Sequence, residues 1–316
     1  MLRFITRRVA LSVLIVVLAV SLLFGMIHML PGDPASVLLG PRATPEVRAE
    51  LNERMGLDQP FVVQLGQFLG NVATGDLGED PFSRRAVADI VFEQLPFTLT
   101  LVFTAIIGAT LLGVPLGCYA AIRRGSWLDR VTALLSVAFI AVPSFVVALY
   151  ALMFLSVQLR WFPAIGAGAS GDLVDQARHL VLPAIALGLG WIGYIARLVR
   201  ASMLEVLEEN HVRTARAFGL PERVIIGRYA LRIAILPTVT ILGLGIGTML
   251  SGALFAEIVF SRPGIGKLLY EAVMTRNYPV VMGSVLVTTV FFVACTLASD
   301  IINALLDPRL RETEER

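Results

Sequence analysis

Asn210-His-Val-Arg-Thr-Ala-Arg-Ala-Phe-Gly-Leu-Pro221, continuing through Tyr229-Ala-Leu-Arg232 to Leu236-Pro237, is a polar island between long apolar runs. Residues up to Phe218 suit a helix, Gly219 suits its C-terminal end, and Pro221 can open a second helix because its missing N–H is unneeded there. The chain then returns to apolar sequence near Ile233. Small Ala215, Ala217 and Gly219 beside Phe218 suit a surface that seats in another protein's groove. An amphipathic helix pair lying on lipid headgroups accommodates the same residues equally well.

On both sides of this island the composition points to lipid as the main solvent. Hydrophobic residues make up 56% of the 316 and charged residues 16%, with a mean hydropathy of +0.78. A soluble core cannot hide that much apolar surface. Runs long enough to cross a bilayer are Val9–Leu30, Phe97–Ile122, Val131–Gln158, Leu180–Ala196, Ile233–Phe260 and Pro279–Leu306. The fourth is the shortest, and several others exceed the roughly 20 residues a span needs, which predicts tilt or overhang. Arg3, Arg7 and Arg8 precede the first run. That run is too long for a signal-peptide core and no small-x-small cleavage site follows, so it reads as an uncleaved anchor.

Basic residues set the expected orientation. With the N-terminus inside, segments 1–8, 123–130, 197–232 and 307–316 hold 16 Lys/Arg in 62 residues, whereas the outer segments hold 10 in 105. That bias places both termini in the cytoplasm, which six spans satisfy. The expected organisation is an all-α membrane protein. Residues 1–30 form its first span and 31–96 an extracytoplasmic cap with helices near Pro45–Met55 and Pro60–Val72. A five-helix core over 97–306 carries the cytoplasmic loop 200–232, and 307–316 is a cytoplasmic tail.

Several motifs tempt and fail. Gly188-Leu-Gly190-Trp-Ile-Gly193 matches a dinucleotide fingerprint but lies within an expected membrane helix, where glycines allow close packing instead. Pro263-Gly264-Ile-Gly266-Lys267 resembles the end of a phosphate-binding loop, yet Ser261 and Leu268 stand where glycine and Ser/Thr are required. The chain thus carries no recognisable ATPase. His28, His179 and His211 lack metal-ligand spacing, and no G-x-S-x-G offers a protease nucleophile. A net charge of +2 gives no footprint for nucleic acid, and Cys118 and Cys295, each within an apolar run, form no disulfide framework.

The polar island resembles the coupling loop of binding-protein-dependent permeases of ATP-binding-cassette importers, in their dipeptide, oligopeptide and nickel branch. Arg213-Thr214-Ala215 stands where the general signature has E-A-A, and the gap to Leu236-Pro237 is longer. Both departures are similar to that branch, in which R-T-A-R-A-x-G-L is common. Leu30-Pro-Gly-Asp-Pro34, Gly75-Asp-Leu-Gly78 with Leu95-Pro96 and Thr98-Leu99, Phe260-Ser-Arg-Pro-Gly-Ile-Gly-Lys-Leu268, and Leu306-Asp-Pro-Arg309 resemble further motifs of the family, in order along the chain.

The resemblance implies a type I importer permease fold in a bacterial inner membrane. It further implies a non-catalytic subunit that pairs with a sister permease as a heterodimer. Two cytoplasmic ATPase subunits would carry ATP and Mg, and an extracytoplasmic binding protein would deliver di- or oligopeptides. Arg213, Thr214, Ala215, Arg216, Ala217, Phe218, Gly219 and Leu220 would then transmit the ATPase stroke. The chain itself would bind no cofactor or metal. A nickel permease of the same branch is the alternative cargo reading. A secondary transporter is a further one, disfavoured by the lack of an internal repeat and the scarcity of deep charges.

Glu257, late in the fifth run, should face a cavity or a partner, because an ionised carboxylate at the bilayer centre costs roughly 2.5–3.5 kcal/mol. It lines the outer mouth of the path with Pro263, Gly264 and Gly266, latches the loop they form, or is a satisfied residue at the water boundary. Gly243 and Gly247 on the same run suit close helix packing, with the sister permease as one candidate neighbour.

Overall fold

Lipid offers the backbone no hydrogen-bond partner, so apolar runs of this length must close their bonds internally as helices. The computed structural model, which describes residues 2–29, 44 and 59–306, has helices over most of them. They are α1 (Leu2–Met29), α2 (Phe61–Ala73), α3 (Val87–Ile122), α4 (Trp127–Ala141), α5 (Ser144–Ala151, running on as a π-helix through Leu152–Gln158), α6 (Leu173–Leu207), α7 (Asn210–Ala217), α8 (Leu236–Val259), α9 (Ile265–Met274) and α10 (Tyr278–Leu306). Short helical pieces, including the π-helical Ile225–Ala230, link α7 to α8. Five of the described helices are long and apolar enough to cross a bilayer, or six with α4 and α5 taken as one bent span.

Two expected spans need correction. The third is broken: α4 and α5 meet at 97°. Pro143 has no N–H to continue a ladder and pushes Val142 out of the helical region, to φ −88° and ψ 120°. The fourth is not short, because α6 is 35 residues long. Its helix continues past the apolar stretch through Arg197, Arg200 and Glu205, where hydropathy falls but helix-forming side chains persist. The helix expected at Pro60–Val72 forms as α2. The one near Pro45–Met55 lies outside the described residues, as do most of the Leu30–Pro34 and Leu306–Arg309 motifs.

The chain divides into two compact units, one comprising residues 97–263 with 295–316 and the other 2–96 with 264–294. In the first, α6 packs at close range on its neighbours. A Cβ on Gly117 of α3 would stand 2.5 Å from the Ala196 carbonyl, and one on Gly193 would stand 2.6 Å from that of Ser136 on α4. These glycines let backbones approach as small residues do in membrane helix pairs. Gly188 and Gly193 therefore serve packing within one continuous helix. Gly243 likewise meets Ser299 of α10 within this chain.

In the second unit, Val20 of α1, Val87 and Val91 of α3, Ile265 and Ala272 of α9, and Val280 and Leu286 of α10 share a buried apolar cluster. Phe24 stacks on Phe68 of α2 at 5.9 Å between centroids. The turn before α3 is pinned by Asp80, which is 7% exposed. Its carboxylate accepts from the Phe82 and Ser83 N–H groups at 3.1 Å, from the Ser83 hydroxyl, and from the Asn277 amide at 2.7 Å.

Burial alone would raise this carboxyl. The bonds from Ser83, Phe82 and Asn277 outweigh that effect and hold it below its usual 3.8. A carboxyl depressed by folding contributes stability above its unfolded value, and that stability is lost as pH falls through the folded one. Hydrogen exchange over residues 78–86 should therefore stay protected at neutral pH and rise only in acid below about pH 4. Asp80→Ala should release the segment at every pH by about 1–3 kcal/mol, because it orphans the buried Asn277 amide.

Candidate functional site

The polar island folds as its residues lead one to expect up to Gly219, and its end geometry is specific. The Leu220 N–H bonds the Ala215 carbonyl at 3.3 Å, and the Gly219 N–H bonds that of Arg216 at 2.9 Å. This double closure is a Schellman motif, and it requires the left-handed residue that Gly219 provides at φ +75°. Arg216 reaches across the turn to Glu222, Nε to Oε1, at 2.8 Å, and the Thr214 hydroxyl donates to the Asn210 carbonyl at 2.9 Å.

One face of α7 belongs to the chain's own core. Val212 and Ala215 are buried with Ile195, Val199, Met203 and Val206 of α6 and with Ile225, Ala230 and Ala234 beyond the turn. Ala215 is thus turned inward, away from the outward surface expected to include it. Arg213, Thr214, Arg216, Ala217, Phe218 and Gly219 are exposed, and Leu220 is half-buried. Phe218 is 81% exposed, a large apolar side chain held out by a rigid turn.

A second constellation, which no sequence motif marks, stands at the start of α4. Asp129 is 5% exposed and receives Arg200 of α6 in two bonds, at 2.5 and 2.9 Å. The Gly125 N–H adds a third at 2.9 Å, and Ser126 caps α4 by accepting from the Asp129 N–H. Arg200 lies one turn before Met203, which packs in the α7 cluster. The fork therefore fixes the span that carries α7.

The acidic residue of the fifth span is fully enclosed. Glu257 is 0% exposed, and the Thr98 hydroxyl donates to it at 2.5 Å. Arg262 is 4% exposed, with its guanidinium 5.9 Å from the Phe97 ring centroid and its backbone N–H donating to the backbone carbonyl of Glu257 at 2.9 Å. Burial pulls the Arg262 guanidinium below its ordinary value, while the Glu257 charge pushes it back up. Ser261 holds the loop in a left-handed conformation at φ 44°. Pro263 is half-buried, Gly264 is buried ahead of α9, and Gly266 lies half-buried in its first turn.

Apolar helices long enough to span, one of them anchoring a glycine-ended helix that holds out an exposed aromatic, define a multi-spanning membrane protein. The chain belongs to the family of binding-protein-dependent transport system inner membrane components, whose model matches residues 113–312, while the model of that family's N-terminal part matches 1–102. It is 34% identical to the dipeptide transport system permease protein DppB of Alkalihalophilus pseudofirmus over 98% of this chain and 100% of that one. It is 37% identical to the glutathione transport system permease protein GsiC of Escherichia coli K12, over 92% of each chain. The inward-facing MetNI methionine transporter shares the fold, with a TM-score of 0.57 at 19% identity over 68% of this chain and 95% of that one.

The chain is therefore a non-catalytic, multi-pass permease subunit of a bacterial ATP-binding-cassette importer. Its family works with a partner permease, separate ATPase subunits and a binding protein.

Proposed function

We propose that this permease pairs with a non-identical sister to form the path for di- or oligopeptides, and that one of the two ATPase subunits grips it at Arg213–Leu220 while the other grips the sister. The observation that carries this reading is Phe218, projecting from a turn whose other face is fastened to α6. A docking helix must be stiff to transmit a stroke and must present something to grip. In this arrangement both termini and α7 lie in the cytoplasm, as the distribution of arginines favours. ATP and Mg are held by the partners. Closure of the ATPases drives the two coupling loops together and rocks the spans from inward-open to outward-open. The enclosed Glu257, with Pro263, Gly264 and Gly266, forms a latch at the outer gate. The relatives that transport a dipeptide and glutathione support peptide over nickel as cargo.

The test is uptake into proteoliposomes carrying the permease pair, the ATPases and the binding protein. Radiolabelled peptide should accumulate with ATP, and a Walker lysine substitution in the ATPases should abolish accumulation. Uptake of nickel but not peptide would replace the cargo. Proton- or sodium-driven uptake by this chain alone would end the reading.

A further inference from the structure

The bend between α4 and α5 places unpaired backbone where lipid could not tolerate it. α4 has 15 residues and rises roughly 22 Å, short of the ~30 Å of hydrocarbon. The last carbonyls of α4 and the first N–H groups of α5 have no helical partner. Non-helical backbone at such depth persists only where protein covers it or where it lines a water-filled cavity. A cleft of about 300 Å³ opens at this point, with Val142 and Ser144 of the break in its wall.

The rest of the lining is selective in kind. Trp191 and Tyr194 of α6 meet edge to face, 5.6 Å apart at 65°, and Met249 and Thr248 of α8 stand in the wall with them. Gly245 of α8 makes room for the benzo end of the Trp191 indole, which a Cβ there would approach within 2.5 Å. Gly190 and Gly252 also line it; a Cβ on Gly252 would stand 2.9 Å from Leu187 in the wall, and one on Gly190 would stand 3.3 Å from the Phe139 carbonyl of α4. The lining holds hydroxyls but no charged side chain. Its volume is at the small end for a ligand site, too small for an oligopeptide and sufficient for one bulky side chain.

We propose that this cleft is a way station on the translocation path, holding one aromatic or large aliphatic side chain of the passing peptide between Trp191, Tyr194 and Met249. The backbone of the cargo stays in the water beside the α4–α5 break, with the Ser144 hydroxyl within the same wall. The proposal rests on the peptide-permease reading and adds a selectivity inside the membrane to that of the binding protein. Charged termini find no partner here, so discrimination falls on side-chain character.

The full reconstituted complex tests it with two labelled probes, triglycine and Gly-Phe-Gly, each at saturating binding protein. Trp191→Ala should lower the Gly-Phe-Gly to triglycine uptake ratio about tenfold relative to the native complex, the scale of losing one good apolar contact. Trp191→Phe should restore most of that ratio. An unchanged ratio in Trp191→Ala overturns the proposal, as does an equal loss for both probes, which would mark a purely structural tryptophan. Because the ratio is taken within one complex, lowered expression cancels out of it.

A second measurement uses Ile140→p-benzoylphenylalanine at the cleft wall. Irradiation during turnover should capture labelled Gly-Phe-Gly, and excess unlabelled peptide should suppress the capture. Capture of lipid or the sister permease alone overturns the proposal. If the native complex takes up neither probe, the peptide reading itself fails; if it takes up both and the variants do not discriminate, only the cleft proposal falls.

Discussion

Phe218→Ala should cut ATP-driven uptake by roughly 30-fold or more while leaving the permease folded. At 81% exposure the ring contributes almost nothing to the chain's own core, so its truncation should not lower the melting temperature. An exposed aromatic that fills a partner's pocket is worth about 2 kcal/mol or more on truncation to alanine, and that energy is the scale of the loss. ATPase subunits should dissociate more readily during purification, and hydrolysis should no longer respond to loaded binding protein. The neighbours give contrasting controls. Ala215→Leu overfills the cluster around Val212 and Met203, so it should lower stability by about 1–3 kcal/mol. Gly219→Ala meets open space and should cost about 1–2 kcal/mol through the left-handed backbone alone. Full coupled transport in Phe218→Ala would remove the docking role from this turn.

The spans were legible because lipid makes hydropathy decisive, and the family motifs were legible because they are local strings. What hydropathy cannot register is a broken ladder. Val131–Gln158 reads as one run because Val142 and Pro143 are as apolar as their surroundings, and only the missing N–H of Pro143 marks the bend. The overlong α6 escaped for the opposite reason: Arg197 and Arg200 end an apolar run without ending a helix. Ala215 carried a usable signal, since Val212 and Ala215 stand three residues apart and mark an inward stripe on α7.

The pairings that hold the site were beyond the sequence. Thr98 and Glu257 are 159 residues apart, and Asp129 and Arg200 are 71 apart. No periodicity connects such residues. The sequence marked Glu257 as a residue that needed a partner. It could not name Thr98, because any of several hydroxyls in the other spans would have met the same chemical demand.

Arg200→Ala should be among the most damaging single changes in the chain. It strips the bidentate partner from a carboxylate that is 5% exposed, and orphaning a buried charge typically costs about 3–5 kcal/mol. Arg200 keeps 30% of its side chain in contact with solvent, so water can repay part of the loss and the expected figure is about 3 kcal/mol. Arg200→Lys should recover only part of this, because an ammonium is a point charge and cannot fork onto both oxygens. Asp129→Asn should cost less than Arg200→Ala, since the amide oxygen still accepts one bond and no buried anion remains. The exchanged pair, Asp129→Arg with Arg200→Asp, should fail to rescue. Asp129 also accepts the Gly125 N–H and lies in the first turn of α4, where the helix dipole favours an anion and disfavours a cation. Thermal unfolding of the purified complex reads the stability, and uptake per ATP hydrolysed reads the coupling. A variant that keeps its melting temperature but loses uptake per ATP would show that the fork carries the stroke from α7 into the spans. A fall in both together would confine the pair to holding α4 on α6. Native stability and coupling in Arg200→Ala would show that the fork does neither.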